Sequence, residues 1–291
     1  MTSPEHDAAA GPNAAQIAYW NDVAGPKWTG LGAAIDARMA AVQDLLIASA
    51  GVKPGQSVLD VGCGMGTTTL ACADRVGVSG QVVGIDVSTP MLEVARRRVA
   101  ERGFANVSLL EADAQTHRFA AQCFDRIVSR FGVMFFADPV AAFRNLQRAM
   151  RPGARLSFVC WAPLAENAHW RIPLEIVSQA LGAPVAEPEQ TPGPLALSDV
   201  THLRDILEGA GFHGAKVSTE AVFVIGTAPE EEARLACHMG PSARLVQERV
   251  PSEAVHDAIC RRIAEALSPY VSGGKTILPA SVHLVTAERA C

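Results

Sequence analysis

Apolar and polar positions along this chain follow two periods in turn. Strand-length apolar runs occur at 57–61, 81–85, 107–111, 125–129 and 155–160. Between most of them apolar residues recur every three or four positions, at 68–75, 90–102 and 140–150, as on one face of a helix. Thr89 suits the N-cap of the second of these helices, with Pro90 in its first turn and Gly103 as its stop. Short strands separated by helix-length segments predict an α/β domain, its parallel sheet covered on both faces.

The flanks read differently. Residues 1–13 are Ala, Gly, Pro and polar residues, and predict a disordered start. A helical stretch rich in aromatics follows at 14–28, interrupted at Gly25-Pro26, and a helix at 35–50 carries Ile35, Met39, Val42, Leu45 and Leu46 on one face. Residues 163–194 hold six prolines around one helical patch, which suggests an insertion over the sheet edge. Helical periodicity returns at 198–208, 230–238, 242–248 and 252–267, with strand-like stretches at 216–218 and 222–225 and a last strand at 281–286. With no repeat and no dividing linker, residues 14–291 form one domain: cap helices at 14–50, a core at 51–161, and lid insertions at about 162–200 and 226–275.

Composition narrows the class. Apolar residues make up 49% of 291, enough for a sizeable core, yet no run approaches the length of a membrane span. The N-terminus lacks a basic segment followed by an apolar one, so a cytoplasmic location is expected. Net charge is −5, and the one basic cluster, Arg96-Arg97-Arg98, falls on a helical face, so no nucleic-acid partner is expected. The seven cysteines are scattered, without Cys-x-x-Cys or zinc-like spacing. Reduced, mostly buried thiols and no metal are expected.

The chemistry concentrates at 58–67, VLDVGCGMGT, where a strand turns into a helix. Glycines there let backbone approach a ligand closely, next to the free N–H groups of a helix start. The dinucleotide spacing would put a third glycine at 67, which is Thr67; here it is Gly66. Asp60, inside the strand, would repel a pyrophosphate but suits a cationic ammonium group. Asp86 ends the second strand about 20 residues on, a spacing that suits ribose hydroxyls. Asp113, after the third strand, can accept from an adenine amino group. The implied ligand has a ribose and a cationic tail, and lacks phosphates.

These segments, VLDVGCGMGTTT, VVGIDVSTPML, EADAQ, FDRIVSRFGVMFF and the Arg-Pro-Gly turn before a strand, resemble in order the motifs of class I S-adenosylmethionine-dependent methyltransferases. The branch they most resemble is that of ubiquinone/menaquinone-biosynthesis methyltransferases. The resemblance covers about residues 36–160, and the segment Glu208-Gly209-Ala210-Gly211-Phe212 is similar to the family's approach to its sixth strand. It implies a doubly wound, seven-stranded, mostly parallel sheet with an antiparallel last strand. It also implies that S-adenosyl-L-methionine is bound and S-adenosyl-L-homocysteine left as product. By position, Asp60, Gly62, Gly64 and Gly66 would hold the methionine end and Asp86 the ribose. Val87 and Met91 would lie beside the adenine, with Asp113 and Ala114 at its amine. Arg130 and Phe131 would line the donor pocket.

The acceptor expected by this reading is a small molecule, aromatic and phenol- or quinol-like, methylated by in-line displacement. His169 and His238 lie in the lid segments and are the candidate bases. Trp20, Trp28, Phe135 and Trp161 are candidate walls of the acceptor pocket. Two rival readings compete. A nicotinamide-dependent oxidoreductase is disfavoured by Thr67 and Asp60 and by the lack of a Tyr-x-x-x-Lys pair. A non-catalytic S-adenosylmethionine-binding protein would carry the same donor motifs.

Overall fold

A computed structural model describes residues 11–184 and 192–290. The chain opens with α1 (Ala14–Tyr19), α2 (Gly25–Leu31), α3 (Ala33–Arg38) and α4 (Ala40–Ala50). Strands and helices then alternate as β1 (Ser57–Val61), α5 (Thr67–Val76), β2 (Gln81–Asp86), α6 (Thr89–Glu101) and β3 (Val107–Glu111). After them come β4 (Phe124–Arg130), α7 (Pro139–Ala149) and β5 (Met150–Trp161). The last part holds α8 (Ala168–Leu181), α9 (Val200–Gly209), β6 (Lys216–Ile225), α10 (Pro229–His238), α11 (Pro241–Arg249) and α12 (Glu253–Leu267). The two-residue β7 (Val271–Ser272) and the long β8 (Lys275–Glu288) close the chain.

The sheet order is β3-β2-β1-β4-β5-β8-β6, with β7 pairing β8 off that path. The first five strands are mutually parallel, and β8 runs antiparallel to both β5 and β6. The fold is thus the expected α/β sheet, mostly parallel with an antiparallel last strand. A parallel sheet of this kind binds ligands outside the carboxyl ends of its strands, near the point where the order reverses, here between β1 and β4.

The main core packs Leu59, Ile127, Leu156, Phe158 and Val285 of the sheet against Leu46 of α4, Phe143 and Leu146 of α7, and Leu203 and Leu207 of α9. Each large side chain buried this fully contributes about 1.5–3 kcal/mol. A second, smaller core joins the two insertions to each other. Ile172 and Val177 of α8 meet Ala233 and Cys237 of α10, Ile259 and Ile263 of α12, and Leu278 of β8. No helix among the described residues is long and apolar enough to cross a membrane.

Several boundaries differ from the sequence reading, for local reasons. The helical stretch at 14–28 is not interrupted at Gly25-Pro26. A π-helical turn, Trp20–Ala24, feeds straight into α2, and Pro26 is tolerated because the first turn needs no donor there. Gly25 is required by contact: a Cβ on it would come within 2.6 Å of Ser88 Oγ. The helix at 35–50 is two helices meeting at Met39. The N-cap of α6 is Ser88 rather than Thr89, and the Thr89 N–H donates instead to Asn21 Oδ1 at 2.9 Å. Pro152-Gly153 lies within β5, where the pairing with β4 slips, rather than before it. The stretches at 216–218 and 222–225 are one strand, and the last strand is longer than 281–286 at both ends.

At the N-terminus, most of the predicted disordered start lies outside the described residues. Asn13 at its end is 5% exposed and held by side-chain hydrogen bonds, which corrects the boundary.

Candidate active site

The carboxyl ends of β1, β2, β3, β4 and β5 open into one cavity of about 920 Å³. Its floor is the glycine loop between β1 and α5. Gly62, Gly64 and Gly66 all have positive φ, at 67°, 52° and 84°. Gly62 passes under Gly132: a Cβ on it would stand 2.6 Å from Gly132 Cα, so the β1 and β4 ends touch backbone to backbone. Gly64 faces Met91, whose Cε would lie 2.8 Å from an added Cβ. Gly66 begins α5 against Ala95 of α6.

Asp86 holds this loop from the end of β2. Its Oδ2 accepts from Gly64 N at 2.7 Å and its Oδ1 from Ser88 N at 2.9 Å. Burial raises its pKa, while those N–H groups counteract the shift. Val87, Met91, Asp113 and Ala114 continue the same wall. Asp113 Oδ1 already accepts from Gln115 N and from Asn13 Nδ2, both at 2.9 Å. Asn13 also accepts from Ala137 N at 2.7 Å, so the start of the chain ties the β3 end to the segment after β4. Sequence reasoning had no signal for this residue.

Asp60 and Gly66 do not reach the cavity wall. Asp60 lies beneath the loop, 1% exposed, accepting from Thr69 Oγ1 at 2.7 Å through Oδ2 while Oδ1 has no partner. Burial pushes its pKa up to about 7, opposed by Thr69 and Arg130. The folded state therefore binds a proton more readily than the unfolded chain, whose carboxyl titrates near 3.8. The Asp60 contribution to stability should fall as pH rises from about 4 through 7, by about 1.4 kcal/mol per pH unit. Asp60→Asn is expected to remove that contribution, so that the stability of the variant relative to the wild type rises with pH in urea unfolding at pH 5, 6.5 and 8. A relative stability independent of pH would mean that Asp60 makes no such contribution.

Arg130, at the end of β4, lines the cavity. Its Nη2 stands 3.5 Å from Asp36 Oδ1, and its Nη1 is buried without a partner. Asp36 of α3 also accepts from Arg98 at 2.9 Å and Thr67 at 2.5 Å, which fastens the cap helices over the loop. The next residue, Phe131, has φ 68°, a strained conformation for a bulky side chain that costs on the order of 1–3 kcal/mol. It places the Phe131 ring flat on Trp161, with centroids 4.5 Å apart and planes within 9°.

Above the floor the walls are aromatic. Trp20 packs on Trp28 and Phe135 on one side. On the other, His169 packs against both Trp161 and Trp170, at 4.8 and 4.7 Å between centroids, and the two tryptophans touch each other at 4.9 Å. His169 is 6% exposed, and neither ring nitrogen has a partner. Burial pushes its pKa down to about 3, with Arg38 adding to the shift. His238 also lines the cavity but is exposed. The predicted donor residues other than Asp60 and Gly66, both histidines and all four predicted wall aromatics thus share one cavity.

Sequence reasoning missed Asp36, Trp170 and the pair that latches the lid to the cap. Arg38 Nη1 of α3 donates to Glu232 Oε1 of α10 at 2.6 Å, both side chains being largely buried. Glu232 also accepts from Thr227 N, and Arg38 holds its carboxyl below the usual range. Cys237 of α10 lies beside His256 and Cys260 of α12 in the lid. All six described cysteines are free, and Cys63, Cys72, Cys160 and Cys237 are buried.

A glycine loop beneath the carboxyl edge of a parallel sheet, with an acidic residue at the next strand end, defines a nucleoside-binding α/β domain. Comparison with known proteins makes it specific: residues 58–153 match the family model described as "Methyltransferase domain". The chain is 39% identical over 104 residues to an aklanonic acid methyltransferase of Streptomyces sp. (strain C5), covering 36% of this chain and 47% of the relative. It is 40% identical over 111 residues to a ubiquinone/menaquinone biosynthesis C-methyltransferase of Cellvibrio japonicus (strain Ueda107), covering 38% and 45%. A nocamycin O-methyltransferase of Saccharothrix syringae matches at 28% over 255 residues, covering 81% and 86%. Apart from that last match, these alignments span about half the length of the relatives. In structure, the YcgJ protein from Bacillus subtilis superposes with TM-score 0.56 at 18% identity, covering 86% of this chain and 98% of that one. Residues 58–153 of this chain thus match a methyltransferase domain, carried on a Rossmann-like α/β fold.

Proposed function

We propose that this chain transfers a methyl group from S-adenosylmethionine to a hydroxyl, or to a carbon beside one, on a bulky aromatic small molecule. One observation carries this reading: the donor-loop residues and an aromatic lid with an unpartnered histidine share one cavity. At about 920 Å³ it lies near the upper end of ligand pockets, leaving room for two molecules. The relatives named for aklanonic acid, nocamycin and ubiquinone/menaquinone biosynthesis support a small-molecule acceptor methylated at oxygen or carbon.

The residues present fit the donor. The backbone of Gly62 and Gly64 is bare where the methionine end would lie, and Asp86 faces the cavity with oxygens able to accept from ribose hydroxyls. Met91 and Val87 offer apolar contact to the adenine. The unpartnered Nη1 of Arg130 calls for an anionic group, such as the donor's carboxylate. The orphan Oδ1 of Asp60 sits beneath a loop that would carry a cation. When bound, the donor supplies a methyl on a positively charged sulfur, open to in-line displacement. The protein's part is alignment: Phe131, Trp161 and Trp170 would hold the acceptor plane, and His169 would accept from its hydroxyl. The helices α8, α10, α11 and α12 act as a lid that excludes water.

The test is incubation with S-adenosylmethionine and a panel of phenols, quinols and polycyclic enols, following S-adenosylhomocysteine and methylated product together. Equimolar formation of both is the expected result. Tight donor binding with no turnover on any acceptor would favour the non-catalytic reading. Binding of a nicotinamide dinucleotide in place of the donor would overturn both.

A further inference from the structure

The proposed methyl transfer makes no use of three side chains that the lid brings together. Cys237 lies near the end of α10, while His256 and Cys260 are one turn apart on α12. The two sulfurs stand 3.7 Å apart, Cys260 Sγ is 3.8 Å from His256 Nδ1, and all three ligand atoms lie within 4.8 Å of one another. We propose that Cys237, His256 and Cys260 form a structural Zn²⁺ site that staples α10 to α12 beside the cavity.

The spacing is that of ligands around a tetrahedral ion. A disulfide would need sulfurs about 2.05 Å apart. Two sulfurs bound to zinc at about 2.3 Å in tetrahedral geometry lie about 3.8 Å from each other. The donor set is soft, two thiolates and an imidazole, and so selects zinc over magnesium or calcium. Two thiolates also neutralise a dication, which removes the cost of placing charge in a largely apolar lid. The positions are firmly held. His256 and Cys260 fall on one helix face, and Ile259, Ile263 and Ala233 around them belong to the lid's own core. A fourth ligand would come from solvent or from His238, whose ring centroid is 6.0 Å from that of His256. His238 lines the cavity, so the ion would brace the lid at the acceptor's edge.

The experiment uses the full chain, reduced and stripped with a chelator, titrated anaerobically with Co²⁺ and then with Zn²⁺. Expected are a sulfur-to-cobalt charge-transfer band and intense visible bands of a tetrahedral site, saturating at one ion per chain and bleached by Zn²⁺. Zn²⁺ should raise the unfolding temperature of the wild type. His256→Ala and Cys260→Ser, both at half-buried positions, should lose affinity by roughly a hundred-fold or more. Cys123→Ser should bind as the wild type does. If the wild-type chain takes up no Co²⁺, or forms a Cys237–Cys260 disulfide in air but binds no ion when reduced, the proposal fails without reference to any variant. It also fails if the bands survive both substitutions.

Discussion

Asp86→Ala is expected to weaken S-adenosylhomocysteine binding by about 1.5–3 kcal/mol, roughly ten- to a hundred-fold, because the lost hydrogen bonds involve a charged acceptor. Two effects contribute. Asp86 faces the cavity where ribose hydroxyls would lie, and it also clamps the loop through Gly64 N and Ser88 N. Alanine removes both roles, leaving two N–H groups in a part-buried place without their acceptor. The two are separable by measuring affinity calorimetrically and apo stability by urea unfolding. A loss of affinity larger than any loss of stability assigns Asp86 to the ligand. Reduced stability with unchanged affinity would make it a loop clamp alone. Asn is no conservative substitute here, since its amide would turn a donor toward Gly64 N or Ser88 N. Gly64→Val is a poorer probe of the same site. The φ of 52° strains any branched side chain, and its Cβ would displace Met91 as well, so lost binding would not isolate the ligand contact.

The parts of this fold legible in the sequence are those set by local chemistry. Strands of a covered parallel sheet read as short, mainly apolar runs, and both central β1 and edge β3 have the ends that pattern predicts. The donor-side residues are legible for the same reason, since loop backbone and strand-end carboxylates act over a few residues. What was not legible depends on partners distant in sequence. Asn13 meets Asp113 across 100 positions and Arg38 meets Glu232 across 194, and neither leaves a periodic trace. The Cys237–Cys260 contact exists only because two helices of one insertion pack side by side. Asp60 marks the middle case. Its motif singles it out, yet its strand position turns the carboxylate toward Thr69 beneath the loop and away from the cavity wall.

The lid histidine gives the other large effect. His169→Phe keeps a ring against Trp161 and Trp170 but removes both nitrogens, and kcat on a hydroxyl acceptor is expected to fall about a hundred-fold. The loss belongs at the low end for general bases because burial holds the imidazole pKa near 3, which makes it a weak proton acceptor. Its main contribution is to orient the hydroxyl. A hydroxyl that has just gained a methyl is far more acidic than before, so even a weak base can then take its proton. Since His169 stays neutral in the folded state down to about pH 3, kcat should show no acid limb near 6.5. The residue's contribution to stability should show one instead. Between about pH 6.5 and 3 the unfolded chain takes up a proton at this residue that the folded state refuses, so the His169 contribution falls by about 1.4 kcal/mol per unit as pH drops, offsetting the opposite Asp60 contribution above about pH 4. His169→Phe should remove that acid-side loss and leave donor affinity unchanged. Turnover that persists in the variant while the acid-side loss disappears would show that His169 only packs against the tryptophans. The acceptor's hydroxyl would then have to find its partner elsewhere in the cavity.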